Sequence, residues 1–318
     1  MSAHRLLITG ASGFVGRWTL EHWREAYPAA EIWATSDQDS FADDRADRCS
    51  VLDLRDGEAV KTLVQTCRPT HVIHLAGIVG NASLERHLSV NVLGTENLYQ
   101  ALADMGNSSE LRIVQAGTAA MYGRVQPEEL PIKEGHPFRP LTAYAVSKMT
   151  QDYLAALFWR ARGLSVIRAR IFNLLGPGQS EHLVPATFIK QLRSLQDGQP
   201  LQVGNLRARR DFVDVRDVAE ALGRLLMGGR PGGAYNVASG ASVAIGDLLD
   251  ELLALSGLND ISIVEVTSRV RANDVPDVYA DTTAIAEAVQ WRPRISMHQA
   301  LKDMWKDASP SGCRAEQR

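Results

Sequence analysis

A tyrosine and a lysine four residues apart, Tyr144 and Lys148 in the segment YAVSK, are the side chains best suited to acid–base chemistry. Residues at i and i+4 share one face of a helix, and a lysine ammonium near a phenol favours the phenolate. Such a tyrosine can exchange a proton with a sugar hydroxyl or carbonyl. Thr118, at the end of a predicted strand, could donate a hydrogen bond to the same oxygen. The alternatives that stay open are an exposed helix pair and a threonine placed by β propensity.

The segment TGASGFVG, residues 9–16, lies between a predicted strand and a predicted helix. A side chain at Gly10, Gly13 or Gly16 would keep a ligand away from the backbone at the start of that helix. The unpaired amides and the positive dipole end there bind a pyrophosphate. The spacing is GxxGxxG rather than the usual GxGxxG, so a glycine-rich turn without a ligand is the alternative.

Two aspartates lie where adenosine contacts are expected. Asp37 follows the second predicted strand, the usual place of an acidic residue that accepts from the ribose hydroxyls. There it would disfavour a 2'-phosphate and favour NAD(H), although a solvated turn is an equal alternative. Asp53, in VLDLRD, is a candidate partner of the adenine amino group or a helix cap.

The composition is that of an ordinary globular protein. The 318 residues are 45% hydrophobic and 22% charged with a formal net charge of -3, which excludes collagen-like, disulfide-framework and disordered chains. No basic field favours a nucleic acid or an anionic membrane, and no apolar run has the length of a signal peptide or a membrane span. The three cysteines are widely spaced and the eight histidines are scattered. We therefore expect a cytoplasmic protein with free thiols and without a metal site.

Short apolar runs alternate with segments of helical period, the pattern of βαβ units and a parallel sheet. The predicted strands are residues 6–9, 31–35, 71–75, 111–115 and 166–170, and the main predicted helices are 83–105, 143–162, 184–195 and 215–226. We predict a first domain over residues 1–175 and a smaller α/β lobe over 176–318, with about 210–237 returning to the first domain.

Several motifs, in chain order, resemble the extended short-chain dehydrogenase/reductase family of nucleotide-sugar enzymes. They are TGASGFVG, HLAG at residues 74–77, Asn91 in VNVLGT, Thr118, YAVSK and RIFNLLGPGQ. NLLGPGQSEHLVP and RARRDFVDVRDVAEAL resemble most the branch of GDP-4-keto-6-deoxymannose reductase and GDP-mannose 4,6-dehydratase. The resemblance implies a Rossmann-type doubly wound sheet that binds NAD(P)(H) and a carboxy-terminal lobe that binds a nucleotide-diphosphate sugar.

The resemblance also assigns roles to residues. It implies that Thr118, Tyr144 and Lys148 are catalytic, with Lys148 and Tyr144 also touching the cofactor. The remaining cofactor-binding residues are expected to be Gly10, Gly13, Phe14, Val15, Gly16, Asp37, Asp53, Leu54, Leu75, Ala76 and Gly77. The substrate-binding residues are expected to be Thr118, Asn173, Val184, Arg210 and Arg271, although a solvated arginine cluster is the alternative for the two arginines.

By analogy with the family, we also expect a homodimer joined through a four-helix bundle. Its seam would hold Leu98, Leu102, Leu154 and Leu157, or these leucines pack against their own sheet.

Two departures from the family pattern limit the function. Dehydratases of the family carry a glutamate two residues after the catalytic threonine, where this chain has Ala120, which cannot act as a base. This argues against dehydration and against the related decarboxylation. In addition, the loop after HLAG reaches Asn91 sooner than in the family, so its sugar contacts are not transferred.

The expected reaction is the NAD(P)H-dependent reduction of the C4 ketone of a nucleotide-diphospho-4-keto-6-deoxyhexose. The substrate expected from the resemblance is GDP-4-keto-6-deoxymannose, which would give GDP-rhamnose. A nucleotide-sugar 4-epimerase with retained NAD needs the same three side chains and is the alternative. A third interpretation is a dinucleotide sensor without catalysis, which would be expected to lose Tyr144 or Lys148.

Overall fold

The computed structural model describes residues 4–106, 111–196, 198–267 and 275–308. The strands are β1 (Arg5–Thr9), β2 (Glu31–Ser36), β3 (Arg48–Val51), β4 (His71–His74), β5 (Arg112–Thr118), β6 (Val166–Ile171), β7 (Asn173–Leu175), β8 (Leu201–Val203), β9 (Arg209–Asp214), β10 (Ala234–Val237), β11 (Ser242–Ala244), β12 (Ile263–Glu265) and β13 (Asp277–Val278). The α-helices are α1 (Phe14–Ala26), α2 (Gly57–Cys67), α3 (Leu84–His87), α4 (Gly94–Asp104), α5 (Ala143–Arg162), α6 (Val184–Ser194), α7 (Val215–Gly228), α8 (Ile245–Ser256), α9 (Thr283–Val289) and α10 (Met297–Asp307).

The central sheet has the order β10-β6-β5-β4-β1-β2-β3, and neighbouring strands pair in parallel. One apolar cluster joins its first face to α1 and α7 through residues such as Trp23 and Leu222. A second joins the opposite face to α2, α4 and α5 through residues such as Val64, Leu98 and Phe158. Since helices cover both faces and the order reverses beside β1, the predicted Rossmann-type α/β fold is confirmed.

The carboxyl ends of the parallel strands meet at one edge of the sheet. β1, β4 and β5 are neighbours there and end at Thr9, His74 and Thr118. Ligands of open α/β sheets bind outside this edge. The glycine segment, HLAG and Thr118 are therefore brought together by the topology.

A smaller layer contains β9 at its centre. This strand pairs antiparallel with β11 and parallel with β7 and β13, while β8 pairs with β12. Helices α6, α8 and α10 pack on one another through buried residues such as Phe188, Leu249 and Leu301. This second core is apolar and separate from the two cores of the central sheet.

The chain returns from the small layer to the central sheet after β9. β9 stays in the small layer, whereas α7 packs against the central sheet and β10 is its edge strand. A second return was not predicted: Ile285 in α9 and Trp291 are fully buried in the core beside α1 and α7. The division at residue 175 stays a prediction, and β7 just before it already pairs with β9.

One secondary-structure prediction needs correction. Residues 83–105 do not form one regular helix, because a π-helical turn over Leu88–Leu93 separates α3 from α4. β3 and α2 were not predicted. For Leu98 and Leu102, the alternative of packing within this chain's own core holds, since both are fully buried there, while Leu157 is 56% exposed. An amphipathic stripe shows that a surface is covered without showing what covers it.

Within the described residues, no helix has both the length and the apolar character needed to cross a membrane.

Candidate active site

The glycine segment forms a tight loop at the carboxyl end of β1. Gly10 has φ +70°, and a Cβ there would lie 2.7 Å from the backbone nitrogen of Ala76. A Cβ at Gly16 would lie 2.4 Å from the Gly10 carbonyl oxygen. Gly10 thus lets the loop pack against the backbone that follows β4, and Gly16 lets the start of α1 pack against the loop. Gly13 is exposed and precedes α1 without a side-chain cap. The uncapped start of α1, with no acidic residue in its first turn, suits a pyrophosphate.

The two predicted adenosine contacts, Asp37 and Asp53, both interact with Arg55. Asp37 is exposed and directly follows β2, whose last residue Ser36 has its Oγ 2.7 Å from Ser12 Oγ in the glycine loop. The Asp53 carboxylate accepts from Arg55 Nη2 at 2.5 Å and from Arg55 Nε at 2.9 Å. These hydrogen bonds lower the pKa of Asp53. The pKa of Arg55 is raised mainly by Asp53 and further by the charge of Asp37.

One cleft at the sheet edge joins predicted cofactor residues to the three predicted catalytic residues. It is lined by Val15, Leu75, Gly77, Ile78, Val79, Ala116, Gly117, Thr118, Tyr144, Lys148, Ile171, Phe172 and Leu174. The predicted cofactor residues outside this lining are Gly10, Gly13, Phe14, Gly16, Asp37, Asp53, Leu54 and Ala76. Leu54 is buried, and its carbonyl accepts from Asn97 Nδ2 at 2.8 Å. The described lining residues include no carboxylate.

Tyr144 occupies the first turn of α5. Thr142 caps this helix, since its hydroxyl accepts from the Ala145 amide at 3.1 Å. Ser147 Oγ donates to the Tyr144 carbonyl at 2.8 Å. Burial raises the pKa of the Tyr144 phenol, and a hydrogen bond from the Thr118 side chain acts in the opposite direction. The phenol is therefore a proton donor with a partner that stabilises its anion.

Lys148 lies one turn further along α5 and is 6% exposed. Its Nζ donates to the Ala116 carbonyl of β5 at 2.6 Å and to Gln151 Oε1. Burial lowers the pKa of Lys148 to about 8, against the raising effect of the Asp152 charge. The Asp152 carboxylate is held by Arg168 Nη1 at 2.8 Å and Arg170 Nη2 at 3.0 Å. A charged lysine thus reaches the cleft from the protein interior.

A polar network behind Lys148 was missed by sequence analysis. Gln151 is fully buried, and its Nε2 lies 2.6 Å from Thr95 Oγ1 and 3.3 Å from His74 Nε2. His74 Nε2 is also 2.8 Å from Thr95 Oγ1, and its Nδ1 is 2.7 Å from Thr9 Oγ1. Burial lowers the pKa of His74 to about 3, so the ring is neutral. The available signal was Gln151 itself, a polar residue three positions after Lys148 on the same helix face.

Asn91 fixes the loop that borders the cleft. Its Oδ1 accepts from the Ile78 amide at 2.8 Å, and its Nδ2 donates to the Ile78 carbonyl at 3.1 Å and to Ser147 Oγ at 3.0 Å. A Cβ at Gly77 would lie 2.9 Å from Asn91 Oδ1. The π-helical turn that contains Asn91 therefore connects the cleft loop to α5.

Of the predicted substrate residues, Thr118 lines the cleft, whereas Asn173, Val184 and Arg210 lie in the small layer, outside its lining. Asn173 Nδ2 donates to the Asp211 carbonyl at 3.2 Å, and Arg210 Nη1 donates to the Val275 carbonyl at 2.6 Å. Val184 begins α6 and is 40% exposed. Arg271 lies outside the described residues. No metal-binding group of three or more His, Cys, Asp or Glu is found in the part of the chain that the structure describes.

Ala120 is exposed in the short 3-10 turn that follows Thr118, and its amide donates to Thr118 Oγ1 at 3.3 Å. Its methyl group cannot remove a proton from a sugar.

The profile of the family described as GDP-mannose 4,6 dehydratase matches residues 7–304. The chain belongs to this family. The match covers the central sheet, the small layer and α9.

Relatives agree with the family assignment over nearly the full chain. The GDP-6-deoxy-D-mannose reductase of Pseudomonas aeruginosa is 34% identical over 311 residues, which are 95% of this chain and 96% of that protein. The structure of RMD from Pseudomonas aeruginosa complexed with NADPH is 31% identical, covers 96% of this chain and 98% of that one, and has a TM-score of 0.81. A Thermus thermophilus UDP-glucose 4-epimerase complexed with NAD is 27% identical, with 96% and 100% covered and a TM-score of 0.83.

The family resemblance read from the sequence is therefore confirmed, including its closest branch. At the level of the family, the predictions of an NAD(P)-dependent oxidoreductase and of NAD(P)(H) as its cofactor are confirmed as well.

Proposed function

We propose that this chain uses NADPH or NADH to reduce the C4 ketone of GDP-4-keto-6-deoxymannose to GDP-rhamnose. The observation that carries the proposal is a cleft with Thr118, Tyr144 and Lys148 but with Ala120 where a dehydratase needs a glutamate. A proton donor without a second base suits reduction of a ketone, because reduction needs one proton at the oxygen and none removed from carbon.

The glycine loop, α1 and the cleft fit a nicotinamide dinucleotide. Gly10 and Gly16 close the loop, exposed Gly13 lies where a pyrophosphate would approach, and Val15, Leu75 and Gly77 line the cleft beside Lys148. When bound, the reduced cofactor supplies a hydride to the ketone carbon.

The chain's own residues would manage the proton. Tyr144 remains protonated at neutral pH because burial raises the pKa of its phenol, and it gives this proton to the ketone oxygen. Thr118 donates a hydrogen bond toward the same position. Lys148, positively charged below pH 8, favours the phenolate that is left and orients the cofactor ribose. Asn173 and Arg210 would bind the diphosphate of the substrate from the small layer.

The similarity to a GDP-6-deoxy-D-mannose reductase supports the nucleotide and the reaction. We propose the cytoplasm as the compartment, in keeping with Cys49 and Cys67, the free thiols among the described residues.

The test follows reduced-nicotinamide absorbance with NADPH or NADH and freshly prepared GDP-4-keto-6-deoxymannose. Tyr144→Phe should lower turnover by roughly 10²- to 10⁴-fold and keep NADPH binding. Tyr27→Phe is the control, since Tyr27 lies at the end of α1 opposite the glycine loop and outside the cleft lining. Full activity of Tyr144→Phe would contradict the role of this phenol.

A 4-epimerase is the second candidate, supported by the similarity to a UDP-glucose 4-epimerase over the full chain. Release of NAD from the denatured protein, without consumption of added NADPH or NADH, would favour it over the reductase.

We also propose a homodimer through the outer face of α5, where Tyr153 and Leu157 are 59% and 56% exposed. Light scattering should give twice the chain mass, and Leu157→Asp should give a monomer. A wild-type monomer at the same concentration would contradict the proposal.

A further inference from the structure

The Lys148 ammonium is held from inside the protein by two neutral oxygens. One is the backbone carbonyl of Ala116, which no substitution removes, and the other is the side-chain oxygen of Gln151. An ammonium has three hydrogens, so these two contacts leave one hydrogen directed to the cleft. The direction of that hydrogen depends on where the Gln151 oxygen is held.

The orientation of the Gln151 amide follows from its surroundings. The ammonium can only donate, so Oε1 must face Lys148. The amide nitrogen then faces Thr95 Oγ1 at 2.6 Å, and the Thr95 hydroxyl donates its own hydrogen to the Asn91 carbonyl at 2.6 Å. Reversing the amide would point NH2 at an ammonium. One rotamer and one orientation are thus fixed.

The hydrogen bond between Lys148 and Gln151 belongs to a continuous series of hydrogen bonds behind the cleft. From Lys148 it runs through Gln151, Thr95 and Asn91, and then through Ser147 to the Tyr144 carbonyl. Its four middle side chains are fully buried. This series of hydrogen bonds therefore connects the backbone of Tyr144 to the ammonium of Lys148 through α4 and the π-helical turn before it.

We propose that Gln151 is a positioning residue of this site, which holds the Lys148 ammonium beside Tyr144 and is itself anchored to Thr95. Gln151 is fully buried and is not among the residues that line the cleft. It acts through Lys148 and does not touch the substrate. This inference rests on the roles proposed above for Tyr144 and Lys148.

The titratable groups His74, Tyr144 and Asp152 lie around Lys148. His74, on β4, is neutral because burial lowers its pKa to about 3. Tyr144 has its pKa raised by burial. Asp152 is paired with Arg168 and Arg170 of β6. A titration midpoint between pH 7 and 9.5 that disappears in Lys148→Met therefore belongs to Lys148.

The test measures NADPH binding by fluorescence from pH 6 to 9.5, which needs no sugar substrate. Gln151→Leu removes the acceptor and should move the Lys148 midpoint about one pH unit lower. Gln151→Glu keeps the length and places a carboxylate beside the ammonium, so it should move the midpoint about one unit higher. Gln115→Leu is the matched control, because Gln115 is equally buried but binds Tyr99. Its midpoint should equal that of the wild type.

A structural role alone would lower the thermal midpoint of both Gln151 variants and leave the binding midpoint in place, which would overturn the proposal. A shift of both variants in the same direction would also overturn it. If Gln151→Leu does not fold, Gln151→Glu decides alone: a raised midpoint supports the proposal and an unmoved one overturns it. If Lys148→Met binds NADPH with the pH dependence of the wild type, the proposed role of Lys148 fails, and the role of Gln151 with it.

With substrate, kcat of Gln151→Leu should fall while KM for the nucleotide sugar stays within about twofold, since Gln151 is outside the cleft lining. Loss of activity in Tyr144→Phe together with wild-type kinetics of Gln151→Leu would reject the positioning role and leave the proposed reaction intact.

Discussion

Lys148 should make the folded protein less stable at neutral pH than at alkaline pH. Burial lowers the pKa of its ammonium from 10.5 to about 8, and each pH unit of such a change corresponds to roughly 1.4 kcal/mol. Below pH 8 the lysine is protonated in both the folded and the unfolded state, and burial of its charge lowers the free energy of unfolding by about 3 kcal/mol. Above pH 8 the folded lysine loses its proton first, so the free energy of unfolding rises with pH until the unfolded lysine titrates near 10.5.

Lys148→Met removes this titration. We expect the free energy of unfolding of the wild type, minus that of the variant, to be constant from pH 6 to 7.5. It should then increase by about 2 kcal/mol up to pH 9.5. Urea unfolding followed by circular dichroism at each pH measures it. Lys61→Met, at an exposed position of α2, should give a constant difference over the whole range. A constant difference for Lys148→Met as well would refute the argument that the ammonium is destabilised by burial.

Three further predictions concern other parts of the site and its support. Gly16→Ala should weaken NADPH binding and lower the free energy of unfolding by about 1 to 3 kcal/mol, because its Cβ would lie 2.4 Å from the loop backbone. Fluorescence titration measures the binding and urea unfolding measures the stability. Gly135→Ala, where nothing lies within 4 Å of the Cβ, should change neither quantity. Asp152→Asn should cost about 3 to 5 kcal/mol in urea unfolding, since it leaves two arginines of β6 without their carboxylate, and Asp104→Asn at an exposed ion pair should leave the urea midpoint nearly unchanged; equal midpoints for the two variants would contradict this. Asp37→Ala should improve NADPH binding relative to NADH by about fivefold, and an unchanged ratio of the two dissociation constants would show that this carboxylate is remote from the 2'-position.

Local patterns predicted the parts of the site that depend on local geometry. The glycine loop and YAVSK each lie at one junction of a strand or loop with a helix, and there the spacing of residues determines what can meet. The structure places Tyr144 and Lys148 in one cleft with Thr118, which comes from a strand 26 residues before Tyr144. Parallel pairing of neighbouring strands brought them together, and that pairing was predictable from the alternation of elements.

Contacts between distant segments were not predictable in the same way. Trp291 and α9 pack beside α1, more than 250 residues away in the chain, and no local pattern indicates that partner. For the same reason, the sequence left open whether Leu98 lies in a dimer seam or in the chain's own core. Gln151 differs, because a glutamine on the buried side of a helix requires partners, so the need for a network could have been inferred although its members could not.

The two returns of the chain to the central sheet limit how this protein can be recombined with its relatives. Exchanging everything after residue 175 for the corresponding part of another enzyme would also replace α7, β10, α9 and Trp291, which belong to the core around Trp23. A chimera made to change the sugar accepted would therefore need several junctions, which retain residues 215–237 and 283–291 and replace the segments between them. A single crossover instead builds the core around Trp23 from residues of two different proteins, whose side chains do not fit one another. The loss of folding would conceal any gain in specificity.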